Sequence, residues 1–223
     1  MIDNILGHSF FQKLDENSIV VDLGANKGIF AHSIIQRYGS RVFSVEPVPS
    51  LAQGIDGHPR LTLLPWAVSG SAGTMRINVY ADRCASGFGP HTAETVVQTL
   101  DADTVTLAEF RRRNGISRIN LLKIDIEGAE LDMFAAAADA EFADIDQITI
   151  EFHDFLYPDT RPAVEAVKQR LRNLGFYVMP FSLDNTDVLF VNRRMGIGWP
   201  DRLWARTAVK YGRGIRRRLQ RLV

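Results

Sequence analysis

The run VVDLGANKGIF, residues 20–30, restricts this chain more than any other stretch. It sets Asp22-x-Gly24-x-x-x-Gly28 between a short apolar, β-branched segment at 18–22 and a helical pattern carrying Ile29, Phe30, Ile34 and Ile35. Such an apolar segment is the pattern of a strand buried on both faces. The helix is predicted to stop at Gly39. Strand, small-residue turn and helix in that order begin a parallel α/β sheet, and the turn lets a ligand approach the backbone at a helix N-terminus with unpaired N–H groups.

The rest of the chain keeps alternating. Strands are predicted at 41–46, 61–64, 120–124, 145–152, 176–183 and 187–191, and helices at 50–57, 106–114, 128–140 and 162–174. The strand at 74–80 is expected to form a hairpin with 61–64, and residues 81–98 to form a loop. Val164, Val167, Leu171 and Leu174 recur at spacings of three and four before Gly175, which fixes the apolar face of the last long helix. Asp184-Asn185-Thr186 reads as the turn of a closing hairpin. The result is an α/β fold: a mostly parallel seven-stranded sheet ending in a C-terminal antiparallel hairpin. That is the arrangement of the Rossmann-like class I methyltransferase fold and not of a plain dehydrogenase domain. The fold is expected over residues 1–200, with a basic amphipathic tail over 201–223.

The turn at 22–28 departs from the dinucleotide fingerprint G-x-G-x-x-G, because the middle glycine is absent and an acid precedes the first. A pyrophosphate site should not open with a carboxylate, whereas a site for a cationic amino-acid moiety suits one. Asp22 can accept from an ammonium or a backbone N–H. This favours S-adenosyl-L-methionine (SAM) over a nicotinamide dinucleotide. Glu46 ends the second strand 22 residues after Gly24, where doubly wound folds place the acid that binds ribose hydroxyls. The bland alternative is a tight turn made by the glycines and a solvated Glu46.

A second group of acids follows the strand at 120–124, in LLKIDIEGAE. Ligands of open parallel sheets bind beyond the carboxyl ends of the strands, which nominates Asp125, Glu127, Glu151 and His153 as catalytic candidates. Methyl transfer to an alcohol needs an aligned acceptor and removal of a proton. His153 is the best base, since imidazole titrates near neutrality. Asp125 or Glu151 would orient it, or Asp125, Glu151 and His153 would hold a divalent metal such as magnesium. Glu151 and His153 share a face where the strand extends that far. Competing structural readings stand for three residues: a first-turn helix acid for Glu130, close packing for Gly128 and a structural histidine for His153.

VVDLGANKGIF, SVEPVPS, LPWAVSG, TLAEFRRRNGISRINLLKIDIEGAE and ITIEFHDF together resemble the FkbM-type methyltransferase family, over roughly residues 18–155. The resemblance implies SAM-dependent methylation, usually of a hydroxyl on a sugar, glycolipid-like or secondary-metabolite acceptor. It implies cofactor contacts from Asp22, Gly24, Ala25, Asn26, Gly28, Glu46 and Pro47, with Ala67 and Val68 near the adenine. The family commonly has Asp after the Thr-Leu of its TLD segment. This chain has Thr106-Leu107-Ala108, which bears on acceptor identity and not on the cofactor.

Cys84 is the single cysteine, so no intramolecular disulfide or cysteine-based zinc site is available. Residues 81–98 are glycine-rich and suited to a lid, with Phe88 or His91 toward the acceptor. The net charge of zero conceals an asymmetry: residues 201–223 hold eight basic residues against Asp201, and the remainder is acidic. Trp204, Ala208, Tyr211, Ile215, Leu219 and Leu222 recur among the arginines as an amphipathic basic helix would require. That tail suits docking on the acidic body, an acidic partner or a peripheral membrane surface; nucleic acid is disfavoured, as no RNA-binding module is recognisable. With no long apolar window and no signal-like start, the expected location is cytoplasmic. Two other function classes are an NAD(P)-dependent oxidoreductase and a non-catalytic SAM-binding scaffold.

Overall fold

The computed structural model describes residues 1–55, 57–80, 86–87 (backbone only), 96–205 and 207. In chain order the strands are β1 (Ile2–Ile5), β2 (His8–Phe11), β3 (Ile19–Leu23), β4 (Arg41–Val45), β5 (Leu61–Leu64), β6 (Ala67–Val68), β7 (Gly73–Tyr80), β8 (Ser86–Gly87), β9 (Val96–Val105), β10 (Leu121–Ile124), β11 (Gln147–Ile150), β12 (Phe176–Pro180) and β13 (Val188–Asn192). The α-helices are α1 (Ile29–Tyr38), α2 (Pro49–Ala52), α3 (Leu107–Arg113), α4 (Glu130–Ala136), α5 (Asp139–Phe142), α6 (Arg161–Asn173) and α7 (Trp199–Trp204). The main sheet has the seven strands expected, closed by an antiparallel C-terminal hairpin, and their order is β12-β13-β11-β10-β3-β4-β5. The chain divides into two compact units, Leu14–Ile145 and Met1–Lys13 with Asp146–Val223.

The unit Leu14–Ile145 contains the parallel run β10-β3-β4-β5. Val20, Val21, Leu23, Val42, Val45, Leu121, Leu122 and Ile124 are all buried, which is why apolar residues run consecutively along these strands instead of alternating. Gly39 ends α1 in the left-handed conformation, its N–H donating to Ile35 O. Thr106 caps α3 by accepting from Glu109 N at 3.2 Å.

The same unit holds a second sheet, of order β6-β9-β7-β8. This corrects the expected hairpin of 74–80 with 61–64: β7 pairs antiparallel with β9, and β5 pairs parallel with β4. The physical reason is facial. β7 buries Ile77 and Val79 and leaves Arg76 exposed, so it needs a half-covered antiparallel sheet. Ile77 and Val79 pack with Val48, Leu51, Ala67 and Ala102, joined by Leu100. Residues 96–98, expected in a loop, belong to β9, while 81–85 and 88–95, with Cys84, Phe88 and His91, lie outside the described residues. The predicted helix 128–140 is two short helices, because Ala137 leaves helical geometry at ψ 131°.

The other unit contains β11, β12 and β13, paired antiparallel through β13. Its hairpin β1–β2 was not legible in the sequence, since the turn is Leu6-Gly7, with φ of +50° and +94°, and lacks the usual Asn or Asp. β11 stops at Ile150 and not at 152, so Glu151 and His153 stand beyond the strand and share no strand face. Among the described residues no helix is long and apolar enough to cross a membrane. Of the expected tail helix, only its start, in α7, falls among them; 208–223 lie outside.

Candidate active site

The turn after β3 is built for close backbone approach. Gly24 has φ +78°, and a Cβ there would lie 1.8 Å from the carbonyl oxygen of Asp125. Gly28 has φ +74° and would meet Ile55 Cγ1 at 2.9 Å. Gly24 N and Ala25 N both donate to Val45 O at 3.0 Å. Asn26 N donates to Glu46 Oε2 at 2.8 Å, and Val48 N to Glu46 Oε1 at 2.9 Å. The amides of Gly24, Ala25 and Asn26, ahead of α1, are thus engaged within the protein.

Beneath the turn lies a charge cluster with one member the sequence reading overlooked. Lys123, in the middle of the apolar strand β10, is 3% exposed. Its Nζ is 3.0 Å from Oδ1 of Asp22, itself 0% exposed, and 3.6 Å from Oδ2 of Asp125. It donates to Gly24 O at 2.8 Å and, more weakly, to Leu23 O at 3.4 Å. Burial alone would depress the lysine's pKa, but Asp22 and then Asp125 outweigh it and raise the value above the ordinary 10.5. Asp22 accepts no aligned hydrogen bond among the described residues, so Lys123 meets it as a charge pair. The lysine therefore links the cradle turn to the acid at the end of β10.

A cleft of about 60 Å³, open to solvent, sits over this cluster. Its acidic wall is Glu46, Asp125 and Glu127; its apolar wall includes Leu51, Trp66, Val68 and Ile77. Burial, only partly opposed by the N–H donors of Val48 and Asn26, raises the pKa of Glu46 above its ordinary 4.5. The loop 125–128 is held from below by Glu130, a buried carboxylate that accepts from Ile126 N and Gly128 N. Glu130 is thus more than an acid at the start of a helix. Gly128 has φ +106°, and a Cβ there would meet nothing within 4 Å, so its conformation and not close packing calls for glycine.

His153 and Glu151 belong to the other unit. His153 is buried and Glu151 half-buried, in a segment that Phe152 N ties to Asn185 O at 3.0 Å. Asn185 Nδ2 donates to Asp154 Oδ2 at 2.9 Å, and Lys168 Nζ donates to Asn185 Oδ1 at 2.6 Å. Asn185 occupies φ +59°, a left-handed position that asparagine tolerates. The hairpin turn thereby holds the backbone of Phe152 and the side chain of Asp154, on either side of His153, whose ring lies 5.7 Å from that of Phe155.

Residues 22–178 match the family model described as the methyltransferase FkbM domain. The chain belongs to the FkbM methyltransferase family. It is 30% identical over 203 residues to the 31-O-demethyl-FK506 methyltransferase FkbM of Streptomyces tacrolimicus, covering 75% of each chain. It is 27% identical over 206 residues to the AMB antimetabolite synthetase AmbE of Pseudomonas aeruginosa, covering 74% of this chain and 10% of that much longer protein. In three dimensions it aligns with human methyltransferase-like protein 13, solved in complex with SAH, at a TM-score of 0.48 and 11% identity, over 87% of this chain and 81% of that one. As an FkbM-family member the chain is a SAM-dependent methyltransferase, which sets aside the oxidoreductase reading.

Among the sequence-predicted cofactor residues of this FkbM-family chain, Gly24, Asn26, Glu46, Pro47, Ala67 and Val68 line the cleft. Asp22, Ala25 and Gly28 do not; they shape the turn beneath it. Asp125 and Glu127 also line it. Leu51, Trp66 and Ile77 were missed, the last because its strand was paired with the wrong partner. Lys123 carried a visible signal: a charged residue within a strand otherwise apolar throughout.

Proposed function

We propose that this chain transfers a methyl group from SAM to a hydroxyl oxygen of a small carbohydrate, glycolipid or secondary-metabolite acceptor. The observation that carries the cofactor half is the lining of the cleft, with three carboxylates and no cationic side chain among the described residues. A diphosphate would be repelled there, whereas ribose hydroxyls can donate to Glu46, and cationic groups are attracted by Asp125 and Glu127. Trp66, Ala67, Val68 and Pro47 offer the flat apolar wall that an adenine needs. When bound, SAM supplies an electrophilic methyl group on a sulfonium. Asp22 and Lys123 act on the cofactor indirectly, by fixing the Gly24 carbonyl and the Asp125 carboxylate.

The acceptor half rests on chemistry and on the Streptomyces relative, whose name specifies methylation at an oxygen. An alcohol must lose its proton as the methyl group arrives, and His153 is assigned that proton, with Glu151 orienting the imidazole. The test is a screen of hydroxylated acceptors with methyl-labelled SAM, run with EDTA and with added magnesium. Label in an ether that resists mild base, lost in His153→Gln with SAM binding intact, is the result expected. Label on nitrogen or carbon, or full activity in His153→Gln, would overturn the assignment. Activity abolished by EDTA and restored by magnesium would replace base catalysis by metal assistance.

A further inference from the structure

The unit built on β11–β13 carries a second groove, of about 460 Å³, that methyl transfer does not use. Arg172 of α6, Arg193 after β13 and Arg202 of α7 line it, and none of its lining residues is acidic. Two of these cations share one ring: Arg202 Cζ lies 3.8 Å and Arg193 Cζ 5.2 Å from the centroid of Tyr177. Each gains from the ring's negative face, but two guanidinium groups at one aromatic repel each other. Arg202 Nε is also buried and donates to nothing among the described residues. Converging cations with an unspent buried donor and no carboxylate in the lining are the electrostatic shape of an anion site.

The rim supplies the second half of the observation. Trp199 is 66% and Leu203 51% exposed, and both line the groove from the six-residue helix α7. A soluble helix gains nothing by presenting tryptophan and leucine to water beside arginines. At a bilayer surface that composition is favourable, since indole sits at headgroup level and leucine enters the acyl boundary. Residues 208–223, which follow in the chain, add six basic side chains and no acid.

We infer that the Arg172–Arg193–Arg202 groove binds the phosphate of an anionic phospholipid and seats α7 on a membrane surface through Trp199 and Leu203. The guanidinium groups take the phosphate oxygens, the buried Nε of Arg202 finds its acceptor, and the apolar rim enters the interface. This stands independently of the acceptor's identity and goes beyond the cofactor cleft.

The experiment is co-sedimentation of the full chain with vesicles of phosphatidylglycerol in phosphatidylcholine, and of phosphatidylcholine alone, at low and high salt. SAM binding serves as the control for folding. Binding is expected to the anionic vesicles alone and to weaken with salt. Each arginine near the surface contributes about fivefold, so Arg193→Gln with Arg202→Gln together should weaken partition about 30-fold. Trp199→Ala, which keeps the charges, should also weaken it, whereas a purely electrostatic attraction by the basic tail would be unmoved. Equal binding to neutral vesicles, or undiminished binding by the double arginine variant, overturns the proposal. So does capture of a single-stranded RNA oligomer, or of free glycerol phosphate, with the vesicles ignored.

Discussion

Lys123→Met removes one buried charge at nearly constant volume and tests how the cradle is held. At 3.0 Å and an effective dielectric of about 20, the attraction to Asp22 is about 5 kcal/mol. The pair to Asp125 is longer, at 3.6 Å, and that side chain is 26% exposed, so screening reduces its share. Breaking a buried pair from one side typically costs about 3–5 kcal/mol, because the remaining charge stays in a low-dielectric site. Asp22 has no other aligned partner among the described residues, so the upper part of that range applies. Asp22→Asn combined with Lys123→Met leaves no stranded charge and should recover most of the loss. Urea unfolding followed by circular dichroism reads both variants. A loss below about 1 kcal/mol, or a double variant no better than the single one, would refute the reasoning.

Three further outcomes follow from the same geometry. Because burial raises the pKa of Glu46, acidification should weaken SAM binding by protonating the ribose acceptor at a pH above 4.5, measured by calorimetry from pH 7.5 to 5. The sign for apo stability is opposite: a raised carboxyl pKa stabilises the fold below 4.5, an effect lost as pH rises through the shifted value. Gly24→Ala should abolish SAM binding or folding, its Cβ lying 1.8 Å from Asp125 O, whereas Gly128→Ala carries only the conformational cost of φ +106°, about 1–2 kcal/mol by thermal unfolding. Asn185→Ala should lower turnover on any acceptor found, while leaving SAM affinity within about twofold, since it loosens the segment of His153 and not the cradle.

Much of the architecture was legible because burial on both faces leaves a direct trace in sequence. β3, β4 and β10 are apolar runs apart from Asp22, Arg41, Ser44 and Lys123, and the cradle glycines punctuate them. What failed was long-range pairing. Residues 73–80 show a strand's alternation, but alternation does not name the partner, and β9 was unseen because half of its residues are polar and most are exposed. The site was read as a list of ligands for a cofactor, with Asp22 foremost. A sequence cannot show that Asp22 faces Lys123 across adjacent strands at paired positions, so the buried cation beside that acid was not legible. Glu130 is the same lesson: whether a first-turn acid faces water or backs onto the preceding loop depends on how that loop folds.

The central claim is that the acid-lined cleft at the end of β3, β4 and β10 holds SAM through Glu46. Calorimetric titration of SAM into the parent chain and into Glu46→Gln tests it most directly. In the variant the amide nitrogen must face Asn26 N or Val48 N, and an acceptor for ribose is lost. One-site binding by the parent, weakened at least about tenfold in the variant, is the predicted result, as loss of a charged hydrogen bond costs about 1.5–3 kcal/mol. Equal affinity in the two proteins would contradict it.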